Sequence, residues 1–510
     1  MLTIENPQRF YKFLEIQKEN KTRFLLLSML LFGSIGAITW AIRGTAGWGG
    51  VDGTVVPGMM WGLLWYYLSR RMGLDARGIV FWLGFGIALG GELGYGQYVS
   101  WMQGIFYVAD KTIAVNTLNG YLWMAVCGIG WAAPGGILLG WALNKNISSR
   151  QWIMRFFMLM LLLIFLFAWP VIDWVSLRIV DIWPSLIFPN ADLGIYSSEL
   201  GRHLQRTIYT NTQNFLLLFW WLSSLLLSAF QKDKITLTAG LILGAGFGIG
   251  FMQSAIWTLG YGFAPQYIDW WKIWELNAGF NLGILYALVF FWSVKQTAKA
   301  DISETKKIRE KMRTEKEEKR ISYISAITGA LFIFFMGFEY FFWPAIFLSV
   351  LFILVMFVST ISQKQDGFNF IREKRLDILL IYSIYILIFL MLHGVSETAG
   401  IYLGLYQHKE VAQYSWPIER IILVLPFMLI LFTIVIKKLW QIIIQTKKIT
   451  NDEINILQLS NRMIELMAAM GFVGALSIWP SKISIFYSFF LLLALFAFNR
   501  INMFFGKYKV

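Results

Sequence analysis

Apolar runs of about 17–25 residues recur along the whole chain and are separated by polar stretches. A helical run of this length matches the hydrocarbon core of a bilayer, because a helix rises about 1.5 Å per residue. The pattern predicts an all-α polytopic integral membrane protein with about 14 transmembrane helices. The predicted spans, 1 to 14 in order, cover residues 24–42, 54–69, 78–93, 118–143, 153–172, 213–230, 235–257, 275–294, 322–340, 342–361, 377–393, 418–436, 462–480 and 483–498.

A polar-aromatic motif follows three of these spans. After span 3 it covers residues 93–101 (Leu-Gly-Tyr-Gly-Gln-Tyr-Val-Ser-Trp). After span 7 it returns at 259–262 and 266–270, and after span 11 more weakly at 403–406 and 413–416. Three copies at intervals of four spans predict three four-helix repeats, the third degenerate. Since an even number of helices preserves orientation, the repeats are predicted to be parallel.

The repeats and the charge distribution together predict seven segments. They are an amphipathic cytoplasmic segment at 1–22, four-helix units at 23–150 and 151–294, a basic cytoplasmic linker at 295–321, a degenerate third unit at 322–437, an interfacial segment at 438–460, and a terminal helix hairpin with its tail at 461–510.

The formal net charge is +14, and Lys and Arg gather in loops on one side of the predicted membrane. This distribution is the positive-inside bias of an inserted protein, so nucleic acid is not an expected partner and the lipid bilayer is. It predicts both termini in the cytoplasm, loops 94–117, 173–212 and 394–417 outside, and a location in a bacterial cytoplasmic (inner) membrane. Residues 1–22 are polar and basic, so span 1 is expected to act as an uncleaved anchor.

Cysteine and histidine are too sparse to indicate a metal site. The single cysteine, Cys127, excludes an intrachain disulfide and a cysteine cluster, and the three histidines are widely separated. No nucleophile elbow, zinc-helix signature or dinucleotide fingerprint is present, and the glycine-rich stretch 44–53 lacks the ending of a phosphate loop. We therefore expect no metal and no cofactor.

The motif residues are the first candidates for substrate binding. An amide beside an aromatic face suits a hydroxyl-rich solute, because the ring covers C–H faces and the amide both donates and accepts hydrogen bonds. The alternative is a belt of Tyr and Trp at the membrane surface with no ligand. The motif candidates are Gln97, Trp101, Gln266, Trp270, Gln413 and Trp416.

Ionisable residues near the outer ends of spans are the second group of candidates. An ionisable group at membrane depth is a functional hypothesis by default, and a structural pair such as Arg43 with Glu92 is the alternative. These candidates are Arg43, Asp52, Glu92, Glu275, His393 and Glu397. The glycines of spans 3 and 7 leave two interpretations open: close helix packing, or broken helices that line a cavity.

Many spans, repeated units and no soluble catalytic domain favour a transporter or permease for a small polar, carbohydrate-like solute. Its site would face outward and consist of the loops after spans 3, 7 and 11. The alternative is a membrane-embedded glycosyl or acyl transferase that acts on a lipid-linked substrate at the outer face, with its acid or base among Asp52, Glu92, His393 and Glu397. A scaffold subunit is a third class. The sequence favours a non-enzyme and does not indicate the oligomeric state.

Overall fold

A computed structural model describes residues 3–4, 6–42, 50–76, 78–108, 111–144, 148–182, 201–264, 268–304, 380 and 481–507. Within these residues six helices are long and apolar enough to cross a membrane, or seven if one bent pair counts as a span. The chain is therefore an all-α membrane protein, as the hydropathy pattern predicts. Spans 9 to 13, except for Leu380, lie outside the described residues.

The regular secondary structure of the described residues is helical apart from two short antiparallel ribbons. The helices are α1 (Pro7–Ile42), α2 (Gly50–Arg71), α3 (Ile79–Gly90), α4 (Gly96–Met102), α5 (Thr117–Leu143), α6 (Ser149–Phe167), α7 (Trp169–Ile182), α8 (Gly201–Phe230), α9 (Lys234–Ala255), α10 (Gly260–Phe263), α11 (Trp270–Glu304) and α12 (Ser481–Lys507), with a 3₁₀ turn at Ile256–Leu259. Strand β1 (Thr3–Ile4) pairs with β2 (Leu74–Asp75), and β3 (Ile105–Val108) pairs with β4 (Lys111–Ala114).

Neighbouring helices of the bundle run antiparallel. Phe32 of α1 lies opposite Gly283 of α11, and Gly36 lies opposite Gly279. In the same way α2 packs along α3, α3 along α5, and α5 along α9. We call the end where α1 finishes and α5 and α11 begin the motif end. The opposite end, which we call the basic end, carries Arg70, Arg71, Arg155 and Lys232.

Glycines set the separation of these helices. A methyl group on Gly36 would overlap the Gly279 carbonyl oxygen, and one on Gly90 of α3 would overlap the Trp131 carbonyl oxygen of α5. Without a side chain at these positions the two backbones approach closely, as small residues allow in membrane proteins. Gly248 of α9 meets α5 in the same manner. These glycines of spans 3 and 7 therefore serve close packing.

Part of the amphipathic segment predicted at 1–22 packs on the protein. Residues 7–22 are continuous with span 1 in α1, with non-helical dihedral angles only at Asn20 (φ −118°, ψ 20°). Phe10 and Phe13 are fully buried. The Phe13 ring lies 5.4 Å from that of Phe24 and 6.1 Å from that of Phe505 on α12. The apolar face thus finds a protein partner, which periodicity alone does not identify.

Three predicted loops contain regular structure. The loop 94–117 forms α4 and the β3–β4 hairpin, whose strands are rich in β-branched and aromatic residues. Residues 173–182 belong to α7, and α8 begins at 201. Asp52, predicted in the loop 44–53, lies in the first turn of α2. Polar composition marked these segments as loops, but tertiary packing lets them form helices and strands.

Predicted span 5 is broken rather than continuous, and α6 and α7 meet at 76°. Pro170 has no N–H, so the Leu166 carbonyl loses the donor that a continuing helix would supply four residues later. The Gln213 side-chain amide of α8 donates to that carbonyl oxygen over 3.0 Å. Both Leu166 and Gln213 are buried. The break is therefore encoded by Pro170 and satisfied by a buried amide from another helix.

Candidate functional site

The first motif begins inside the helix bundle. α3 ends at Gly90, and the main chain at 93–95 has no regular structure. The Trp131 indole N–H donates to the Leu93 carbonyl oxygen over 3.2 Å, and a side chain on Gly130 would overlap that of Leu93. Because residues 130 and 131 are the middle of α5, the irregular stretch lies at half the depth of a membrane-spanning helix. The sequence predicts an outer loop from residue 94. Because α3 already ends at Gly90, the non-helical chain begins deeper in the bundle than predicted.

One side of the motif carries a polar network with α8. The Tyr98 hydroxyl donates to Asn211 Oδ1 over 2.7 Å and accepts from Asn214 Nδ2 over 3.1 Å. Gln97 Nε2 donates to the same Asn211 oxygen over 3.3 Å, and Asn214 Nδ2 also donates to the Gly94 carbonyl oxygen over 3.2 Å. Tyr98 is fully buried, so these hydrogen bonds satisfy its hydroxyl group inside the bundle.

One acceptor in this network is unused. Asn214 is fully buried, and its Oδ1 has no hydrogen-bond partner among the described residues. An unpaired buried polar atom costs about 1–3 kcal/mol. A bound hydroxyl group or a water molecule that donated to this oxygen would recover that free energy.

The other side of the motif is aromatic. Tyr95 packs edge-to-face on Trp274 of α11 with ring centroids 5.0 Å apart, and it lies 5.9 Å from Trp271. Phe251 of α9 and Trp131 of α5 complete the surroundings of this ring at 5.9 and 6.1 Å. The Trp274 indole N–H is buried without a partner in the described part of the chain. Motif residues from span 3 thus meet the helix that follows the second motif.

A buried ion pair lies beside these rings. Lys272 and Glu275 of α11 form it, and their side chains are 1% and 3% exposed. Lys272 Nζ also donates to the Ala41 carbonyl oxygen at the end of α1 over 3.0 Å, and the Trp271 indole N–H donates to Glu275 Oε1 over 3.0 Å. The pair therefore joins the end of α1 and the beginning of α11 to the aromatic cluster. We call the whole group the motif site: Tyr95, Gln97, Tyr98, Asn211, Asn214, Trp271, Lys272, Trp274 and Glu275.

Five of the predicted site residues have described side chains. Gln97 and Glu275 belong to the motif site, and the partly buried Glu92 lies three residues before Tyr95. Trp101 is fully buried, with its ring 5.5 Å from Tyr98. Its ring packs against Tyr98 and so helps to position that member of the motif site.

Trp270 packs within the second motif. Its indole N–H donates to the Ala264 carbonyl oxygen over 3.0 Å, and its ring stacks on Trp257 with centroids 6.4 Å apart. These contacts hold the start of α11 against the 3₁₀ turn and α10, which follow α9. For the remaining predicted residues the structure describes either nothing or only the backbone. They are Arg43, Asp52, Gln266, His393, Glu397, Gln413 and Trp416. The pairing of Arg43 with Glu92 stays a prediction.

Three polar members of the site that lie outside the motifs were not selected from the sequence. Lys272 stands three residues before Glu275, a helical spacing that would have indicated the pair. Asn211 and Asn214 are also three apart, but Asn211 fell in a predicted loop and Asn214 in an adjacent apolar span. No sequence signal indicated that α8 would pack against the motif.

A second buried ion pair, Arg155 with Asp233, lies at the basic end. Asp233 caps α9 by accepting from the Thr236 backbone N–H over 3.1 Å and from its hydroxyl over 2.6 Å. The Arg155 guanidinium lies 5.6 Å from the centre of the Trp141 ring. These contacts make the pair a structural clamp between α5, α6 and α9.

The motif site offers donors, acceptors and ring faces, and its two charges neutralise each other. Within the described ranges no group of three or more His, Cys, Asp or Glu side chains could hold a metal ion. The combination suits a neutral ligand with several hydroxyl groups, whose C–H faces rest on rings while its hydroxyls exchange hydrogen bonds with amides.

Comparisons with known proteins assign no relative: no family model, no curated protein and no solved structure matches this chain.

Proposed function

We propose that this protein is a transporter or permease that carries a small polar, carbohydrate-like solute through the motif site. The proposed architecture has 14 spans, parallel four-helix repeats and cytoplasmic termini in a bacterial cytoplasmic membrane. Two features support it. The described bundle helices alternate in direction, and both described motifs follow a glycine-containing helix and include a short helix, α4 or α10.

The observation that carries the proposal is the irregular backbone at 93–95 halfway along α5. In a bilayer such backbone is tolerated only where it is buried in protein or lines a water-filled cavity, because lipid cannot satisfy its N–H and C=O groups. Secondary transporters commonly place substrate sites near the bilayer midplane beside interrupted helices. The end of α3 has this form, and polar side chains of α4 and α8 surround it.

The chemistry of the motif site supports a neutral solute. Asn214 Oδ1 is an unused acceptor and the Trp274 indole N–H an unused donor within the described residues. Because Lys272 and Glu275 are paired, the site carries no net charge that would favour an ion. A sugar or polyol could use both unpaired atoms and rest on the part of the Tyr95 ring that stays exposed.

The test is solute uptake into liposomes that contain the purified protein. Radiolabelled monosaccharides, disaccharides and polyols are compared with amino acids and inorganic ions. We expect saturable uptake of at least one hydroxylated solute. Uptake of only charged solutes would contradict the proposed substrate class, and uptake of none of these compounds would contradict transport of a small polar solute.

Tyrosine variants connect this activity to the site. Tyr95→Ala removes the ring that faces Trp274, and we expect at least a tenfold lower uptake, whereas Tyr95→Phe keeps most of it. Tyr107→Ala is the matched control, since Tyr107 lies on the hairpin and is 60% exposed. Equal uptake by Tyr95→Ala and Tyr107→Ala would show that the motif site is not part of the transport pathway.

The same liposomes test the transferase alternative. A transferase would move radiolabel from a lipid-linked donor into a new product without filling the lumen. Transfer that depends on Glu92 would favour that function, since Glu92 is the only one of the proposed acid or base residues whose side chain is described.

A further inference from the structure

Helix α7 has one face against the protein and another face without a protein contact in the described chain. Ile172 and Ser176, one turn apart, are buried. On the opposite face Trp174 and Leu177 are 62% and 67% exposed. An amphipathic helix with large apolar residues on its outer face needs a partner for them.

Two contacts show how α7 runs relative to the bundle. The Trp169 ring packs edge-to-face on Tyr209 with centroids 5.7 Å apart, and the Ser176 hydroxyl donates to the Thr212 hydroxyl over 3.0 Å. Between these two contacts the chain advances seven residues along α7 but only three residues along α8. At about 1.5 Å per residue, α7 advances about 10 Å while its contact moves about 4.5 Å along α8. α7 crosses the spanning helices at a steep angle, in agreement with its 76° bend from α6.

The position of α7 along the bundle is near the membrane surface. Tyr209 and Thr212 lie close to the beginning of the membrane-spanning part of α8, Thr207–Phe230. Thr212 is about six residues, or about 9 Å, from the middle of that span, and Tyr209 is about 14 Å from it. Half of the hydrocarbon core is about 15 Å thick. The helix therefore lies a few ångströms inside the boundary between acyl chains and headgroups, at the motif end.

We propose that α7 is an interfacial helix whose outer face binds the lipid surface beside the motif site. Trp174 and Leu177 insert among the lipids, and Ile172 and Ser176 hold the helix on α8. Tryptophan is enriched at this depth because its ring is apolar while its indole N–H can reach the headgroups. Interfacial helices bury an apolar face by about 5–10 Å in this zone. Exposed Arg178 follows Leu177 and is suitable for contact with lipid phosphates. This inference does not depend on what the protein transports.

The chain permits a direct test, because Cys127 is its only cysteine. In a Cys127→Ser background, Val171→Cys, Trp174→Cys and Leu177→Cys are each labelled with a nitroxide and reconstituted into phosphatidylcholine–phosphatidylglycerol vesicles. Depth is obtained from collision of the label with oxygen and with a water-soluble nickel chelate. Phe157→Cys and Ile164→Cys on the exposed face of α6 are the matched controls.

We expect the three α7 labels to lie at a similar shallow depth, within about 4 Å of one another. The two α6 labels, seven residues apart, should differ by about 10 Å. A progressive change of about 9 Å from position 171 to position 177 would show a re-entrant or crossing helix and overturn the proposal. Free access of the nickel chelate, as in water, would overturn it by placing the face in solvent. Exclusion of both reagents would overturn it by showing that protein covers the face.

Discussion

At the level of single residues, the motif site depends on polar groups that are removed from water. Lys272 and Glu275 neutralise each other where neither could remain charged alone without a large cost. Tyr98 links Asn211 and Asn214 through one hydroxyl group. The effect of a substitution here should depend on what it leaves unpaired, more than on the contact it removes.

The buried ion pair gives the first prediction. Lys272→Met or Glu275→Leu leaves one buried charge without its partner, and each should lower stability by about 3–5 kcal/mol. The double variant replaces both charges by apolar groups and should recover most of this loss. Thermal unfolding of the purified protein in detergent measures the effect, with exposed Lys295→Met on the same helix as control. A double variant whose loss equals the sum of the single losses would show that the two side chains act independently.

Close approach of α1 and α11 gives the second prediction. Gly36→Ala should force the two backbones apart and cost about 1–3 kcal/mol, because the added methyl group meets the Gly279 carbonyl. Gly506→Ala is the control, since nothing lies within 4 Å of the added methyl group there. The midpoint of thermal unfolding should fall for the first variant and stay constant or rise slightly for the second. Equal midpoints would mean that α1 and α11 are not in close contact.

At the level of elements, two interrupted helices distinguish the bundle from a set of straight spans. α3 ends within the bundle, and α4 continues the chain after an irregular stretch. α6 ends at Phe167, and α7 leaves at 76°. Both interruptions expose backbone carbonyls, and in each case a side chain from another helix supplies a donor, Trp131 for Leu93 and Gln213 for Leu166. Such compensation is what allows irregular backbone at membrane depth.

The α6–α7 break gives the third prediction, which is a double-mutant cycle. Gln213→Leu leaves the Leu166 carbonyl without its donor and should cost about 1–3 kcal/mol. In a Pro170→Ala background the backbone N–H of residue 170 can donate to the same carbonyl, so the cost should fall towards zero. Unfolding midpoints of the wild type, both single variants and the double variant measure this coupling. An equal loss of stability in both backgrounds would mean that Gln213 does not stabilise the backbone at the α6–α7 break.

At the level of the whole molecule, antiparallel helices gather the site at one end of the bundle. α1 finishes there, α5 and α11 begin there, and α4 packs on α5. Arg70, Arg71, Arg155 and Lys232 lie at the other end. By the positive-inside rule, we propose that the basic end faces the cytoplasm and the motif end faces outside.

Cysteine labelling tests this topology as the fourth prediction. In the Cys127→Ser background, Tyr107→Cys on the β3–β4 hairpin should react with a membrane-impermeant maleimide in intact cells. Glu310→Cys, in the predicted cytoplasmic linker, should react only after the cells are permeabilised. Labelling of position 310 from outside would reverse or abolish the proposed topology.

The sequence by itself determined the class of protein and much of its helix pattern. Span 4 is predicted at 118–143 and forms α5 at Thr117–Leu143, because one long apolar run admits a single helix. The repeated motif also led to Gln97, and the outer end of predicted span 8 led to Glu275; both are members of the motif site. Apolar length and residue type are local properties, so they can be deduced without knowing which helices touch.

Only the tertiary structure decided which residues face one another and at what depth. Tyr95 meets Trp274, 179 positions later in the chain, because glycines let α3, α5, α9 and α11 pack closely. Asn214 becomes part of the site because α8 packs against the irregular backbone at 93–95 that follows α3. Hydropathy reports how strongly a segment avoids water but carries no information about its partner. The partners of α4, α7 and the N-terminal part of α1 therefore followed from packing alone.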